Sequence, residues 1–177
     1  MRNCAVLVLV LMGLGGCASQ SQPADHLFSN IRVIGPRDDL ANAKNIETTT
    51  RDEYVFGNAE TIANIGLSLA QICEQAKANC RSGVVSTELR YKVDKFDGHT
   101  VTVSGKVLTL TSRNITTVYS QPPTRIIRRM SLVDGVDFIG EGREEHPFTG
   151  VLDLNDTLDI QGLYGTRITL WFDSKRY

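Results

Sequence analysis

The chain has 177 residues, 19 basic and 20 acidic side chains, a formal net charge of −1, and 41% hydrophobic residues. That near balance gives no general electrostatic reason to expect nucleic acid, whose binders usually carry a concentrated basic surface. The length allows one domain with a sizeable core and argues against two.

The first sixteen residues, MRNCAVLVLVLMGLGG, place Arg2 ahead of an apolar run from Ala5 to Leu14 that loosens into glycines. A charged head, a short apolar middle and a small-residue exit make the layout of a secretory signal. The run is too short for a stable bilayer-spanning helix, which needs about 20 residues. Its end, Leu14-Gly15-Gly16-Cys17, resembles the lipobox of bacterial lipoproteins. By that resemblance the Cys17 thiol receives a diacylglycerol, the chain is cut just before it, and the new amino terminus is acylated. Gly15 stands where alanine or serine is commoner. Ala18 and Ser19 follow where lipoproteins of the inner membrane usually carry aspartate, so the resemblance implies the outer membrane, with the domain facing the periplasm. Several acyl chains hold a protein far more firmly than one, because each buried methylene contributes about 0.8 kcal/mol.

Three regions follow: a signal at 1–16, a lipidated cysteine with a short polar tether at 17–27, and a single domain at 28–177. Losing Arg2 with the signal brings the net charge to −2. Of four cysteines, Cys4 leaves with the signal and Cys17 is consumed by lipid. Cys73 and Cys80 remain, and an exported pair so close in sequence predicts a disulfide.

Within the domain, Ile31–Ile34 reads as a first strand ended by Gly35-Pro36. Residues 37–53 are polar and without clear period. Residues 59–78, AETIANIGLSLAQICEQAKA, space Ile62, Ile65, Leu69, Ile72, Cys73 and Ala76 at threes and fours, which predicts an amphipathic helix packed on a sheet. Asn58 stands where a residue could cap its start. Residues seven apart in an unbroken helix are about 10.5 Å apart along the axis, whereas disulfide Cα atoms lie about 4.4–6.8 Å apart. The disulfide therefore requires the helix to end between the cysteines.

After the helix the period becomes twofold. Val85, Thr87, Leu89, Tyr91 and Val93 share one face of a strand. Asp97-Gly98 marks a hairpin turn, and HTVTVSGKVLTLTS returns, with Gly105 as the expected bulge. Ile115–Tyr119 and Arg125–Val133 read as strands around Gln121-Pro122-Pro123-Thr124. Residues 134–149 read as a long acidic loop. Gly150–Leu154 and Thr157–Ile160 read as a pair across Asn155-Asp156. In the last strand, Ile168, Leu170 and Phe172 face the core and Trp171 faces outward. The expected fold is α+β: an antiparallel sheet or sandwich of about six or seven short strands with one helix.

Little in this sequence points to catalysis. His26 and His99 read as solvated residues, and Glu144 and His146 could share one side of an extended strand. No second histidine or cysteine stands at zinc-ligand spacing. The run from Asp153 to Asp159 lacks glycine at the sixth position of a calcium loop. Neither a GxSxG, a phosphate loop nor a CxxC occurs. The reading is a non-enzyme, with no cofactor and no metal.

Charge is uneven along the chain. Arg125, Arg128 and Arg129 cluster, while residues 134–159 carry eight acids against Arg143 alone. With Tyr119 and Trp171 these arginines are the candidate interface, since aromatic and arginine side chains anchor protein contacts. The expected function is a lipid-anchored, non-catalytic envelope protein that binds a protein partner or assists assembly, without nucleic acid. The alternative is a small-molecule or cell-wall binding module, and a hydrolytic enzyme comes after both.

Overall fold

The computed structural model describes residues 26–35, 47–54, 60–74, 79–121 and 124–175. The signal, nearly all of the tether, Asn58 and residues 75–78 lie outside these.

Ten strands run through the described residues: β1 His26–Ile34, β2 Glu47–Tyr54, β3 Thr61–Glu74, β4 Asn79–Phe96, β5 Thr100–Ser112, β6 Asn114–Gln121, β7 Thr124–Ser131, β8 Gly142–Asp153, β9 Thr157–Gln161 and β10 Arg167–Lys175. A 3-10 turn, Leu163–Gly165, joins β9 to β10. The strands form a sheet ordered β2-β1-β10-β9, a second ordered β3-β4-β5-β8, and a separate β6-β7 ribbon, with every ladder antiparallel.

Alternation builds the core. Leu27, Ile31 and Val33 of β1 and Ile168, Leu170 and Phe172 of β10 point inward from the first sheet, against Leu89, Tyr91, Val101, Val103, Val107 and Leu152 of the second. Two sheets closed over one apolar layer make a β-sandwich. Tyr91 pins them together: its hydroxyl donates to Ser29 Oγ at 2.7 Å, and its ring meets Phe172 edge-on with centroids 6.3 Å apart.

This architecture overturns the α+β expectation. Residues 61–74 of the expected helix form β3, whose neighbour is β4. The register shifts between Asn64 and Gly66, and Gly66 has φ +108°, so an extra residue is accommodated there as a bulge. Below the bulge Ala63 falls on the inner side; above it Ser68 and Ala70 do, opposite Val85 and Gly83. Ile65 packs against the core, while Ile62 and Leu69 are about half exposed on the outer side. Apolar residues on both faces of a bulged strand thus imitate a spacing of three and four. The same strand pairing sets Cys73 opposite Cys80, at disulfide distance and with Cα atoms 4.0 Å apart. No helix end is needed to bring them together.

The β4–β5 hairpin turns at Asp97-Gly98 as expected. Gly98 has φ +96°, and Asp97 Oδ1 accepts from the N–H groups of His99 at 3.0 Å and Thr100 at 2.8 Å. The second register shift falls between Val93 and Lys95 rather than at Gly105. Gly105 marks a close approach instead: a Cβ there would lie 2.7 Å from Phe148 Cζ and 2.9 Å from Tyr91 Cα.

Residues 150–160 also differ from expectation. β8 pairs with β5, and β9 pairs with β10. The Asp153–Asp156 turn, closed by an Asp156 N–H to Asp153 O bond of 3.0 Å, therefore carries the chain from one sheet to the other. The expected 134–149 loop ends early, at the start of β8. Residues 136–139 lie along the end of β4, where Ser82 N–H donates to Asp137 O at 2.7 Å and Ile139 N–H to Ser82 O at 3.1 Å. Gly83 permits that approach, since a Cβ on it would meet Ile139 Cγ1 at 2.8 Å.

Candidate functional site

The candidate residues are distributed over two surfaces. Trp171 alternates with the buried Leu170 and Phe172, so it stands on the outer face of the first sheet, opposite Asn30 of β1 and Thr157 of β9. Its surroundings are held by short polar bonds. Asn30 Nδ2 donates to Asp173 Oδ2 at 3.1 Å, and Thr169 Oγ1 donates to Asp159 Oδ1 at 2.7 Å.

The arginines belong to the β6-β7 ribbon, which extends from the second sheet as an arm. β5 ends at Ser112, and a Leu132 N–H to Arg113 O bond of 2.9 Å closes the base of the excursion. Below that base, the Arg113 guanidinium lies 5.1 Å from the Phe138 ring centre, a cation–π distance. The arm reaches across β4 to β3. Ile115, at its base, and Val84, on the outer face of β4, are both buried although neither belongs to the sandwich core.

Register divides the basic cluster. Arg129 pairs with Thr116, Ile127 with Val118 and Arg125 with Ser120, and these positions share one face of the arm. Arg128 pairs with Thr117 and belongs to the opposite face with Ile126. Its guanidinium reaches back over β3, where a Cβ on Gly66 would lie 3.7 Å from Arg128 Nη1. Tyr119 takes the position opposite Ile126; its side chain lies outside what is described. Sequence reasoning grouped Arg125, Arg128 and Arg129 as one patch and missed Val118, Ile126 and Ile127, all about half exposed. The missed signal was alternation across two facing strands.

The acidic segment is largely engaged in the fold. Glu145 bonds Lys106 at 3.0 Å and Arg143 at 3.1 Å, and the Lys106 hydrogen bond, with lesser help from Arg143, holds its carboxyl below the usual range. Asp153 Oδ1 accepts from Thr100 Oγ1 at 3.3 Å. Glu144 and His146 share one side of β8, with Oε2 and Nε2 3.4 Å apart. Among the described residues no group of three or more His, Cys, Asp or Glu side chains is placed to hold a metal ion.

The geometry gives two surfaces on opposite sides of a sandwich: a sheet face around the partly exposed Trp171 and a cationic arm with aliphatic side chains. Comparisons with protein-family models, with curated proteins and with solved structures find no match for this chain.

Proposed function

We propose that this chain is an outer-membrane lipoprotein, acylated at Cys17, whose β-sandwich faces the periplasm and works without catalysis as a protein-binding or assembly factor. The Leu14-Gly15-Gly16-Cys17 motif supports the anchor. Tethering raises the local concentration of the domain at the membrane, so even a modest contact is effective there.

The observation that carries the binding role is Trp171. The chain's one tryptophan stands on the outer side of a strand whose inner side supplies Ile168, Leu170 and Phe172 to the core. Its neighbours are fixed by the Asn30–Asp173 and Thr169–Asp159 bonds, so little ordering remains to oppose binding, and a preorganised aromatic is a favoured interface anchor.

The test is crosslinking in intact envelopes followed by mass spectrometry, with the acyl groups on the peptide that begins at Cys17 read from the same sample. The wild-type chain yields a specific protein. Trp171→Ala weakens that association about 30-fold, which corresponds to about 2 kcal/mol for loss of an interface anchor. Equal yields from both chains overturn the Trp171 assignment, and an unacylated peptide beginning at Ala18 overturns the anchor.

A further inference from the structure

The β6-β7 arm combines three features that the Trp171 face lacks. Each of its strands has eight residues, about 27 Å at 3.4 Å per residue. From Asn114 to Ser131 there is no acidic side chain, and there are three arginines. Its aliphatic side chains are open to solvent on both faces: Val118 at 48% and Ile127 at 56% on one, Ile126 at 47% on the other.

The arrangement on the first face is ordered. Val118 and Ile127 are directly opposite each other, and Arg125 and Arg129, both exposed, flank them four residues apart, about 13 Å along the strand. The opposite face turns back over the second sheet, with Arg128 over Gly66 of β3, so the first face is the one presented outward, and Ile126, half exposed, lies at its margin. Aliphatic side chains flanked by cations on an outward face match the acyl boundary and anionic headgroups of a bilayer interface.

We propose that the arm is a membrane-contact element that seats in the headgroup region of an anionic phospholipid bilayer. Val118, Ile126 and Ile127 reach the acyl boundary, and Arg125 and Arg129 engage lipid phosphates through charge-assisted hydrogen bonds. Anionic leaflets attract basic segments within about a Debye length of the surface, and an arm without carboxylates adds no repulsion of its own. Depth is limited by the backbone. The ribbon forms a sheet of only two strands, which cannot match every edge N–H and C=O within itself, and such groups do not enter the hydrocarbon. The arm therefore lies at the interface and does not span. This contact does not depend on the acyl anchor at Cys17.

The full chain is reconstituted into vesicles of phosphatidylcholine alone and of phosphatidylcholine with phosphatidylglycerol. An environment-sensitive fluorophore is placed on Ile127→Cys and, in a second chain, on Thr157→Cys of the first sheet. The parent chain, labelled in parallel, supplies the background from its amino-terminal cysteines. At position 127 emission shifts to the blue and is quenched by acyl-chain nitroxide lipids in the anionic vesicles. At position 157 it does neither. Arg125→Glu with Arg129→Glu abolishes the shift while circular dichroism confirms the fold. An Ile127 label that stays solvated in the anionic vesicles overturns the proposal, as does a shift that survives the double charge reversal. Protection of position 127 only in whole envelopes assigns the arm to a protein partner and overturns the lipid assignment.

Discussion

At the residue scale, Gly105 and Tyr91 show how closely the second sheet is built. They are partners across β4 and β5, and Tyr91 spends its ring on Phe172 and its hydroxyl on Ser29 in the opposite sheet. The backbone around Tyr91 is fixed by both, so it cannot retreat from a side chain added at Gly105. A Cβ there would press on Tyr91 Cα and Phe148 Cζ together. Gly105→Ala is therefore expected to lower unfolding stability by about 2–3 kcal/mol through overpacking. Gly142→Ala, where a Cβ would meet nothing within 4 Å, is expected to leave stability within about 0.5 kcal/mol. Urea denaturation of the two variants measures the difference, and equal midpoints refute the close-approach account. Asp97 is a milder case: hydrogen bonds from the Thr100 and then the His99 backbone hold its carboxyl below the usual range, as a turn aspartate does when its neighbours' amides point at it.

At the element scale, the instructive segment is β3. A helix there would have buried Leu69 in the sheet contact, and large-to-small loss of a buried leucine costs about 2–5 kcal/mol. On the bulged strand Leu69 is 50% exposed, whereas Leu89 of β4 is 0% exposed in the core. Leu69→Ala is thus expected to cost under about 1 kcal/mol and Leu89→Ala about 2–5 kcal/mol. Thermal unfolding of both distinguishes the arrangements, and a large loss at Leu69 restores the helix. The strands with clean alternation, β4 from Val85 to Tyr91 and β10 from Ile168 to Phe172, were legible because each keeps one wet and one dry face. β3 was not, because Gly66 shifts the faces partway and leaves aliphatic side chains on both sides. The partners of β8 and β9 were illegible for a different reason. A strand's own pattern says which side is buried and nothing about which distant strand lies beside it, so β8 with β5 and β9 with β10 are set by packing of the whole chain.

At the scale of the molecule, the sandwich separates what the sequence had joined. Trp171 turns away from the core on the first sheet, and the arm rises from the second, so the candidate residues form two surfaces with the core between them. The outward setting of Trp171 could be read from its place between Leu170 and Phe172, and the split between Arg128 and its neighbours from the same alternation. That the two groups lie on opposite sides required the sheet order. The separation has a consequence for one lone fluorophore. If the arm seats on an anionic bilayer, the Trp171 face is held toward water, free for a protein partner, at roughly the thickness of two packed sheets, about 10 Å between them, plus the arm. Excited at the red edge of indole absorption, where the five tyrosines do not absorb, the chain emits from this single tryptophan. A water-soluble quencher such as acrylamide is therefore expected to reach Trp171 equally well in vesicles with and without phosphatidylglycerol, under conditions that shield position 127. A fall in Trp171 quenching that parallels the change at position 127 places both surfaces against lipid and removes the two-sided arrangement.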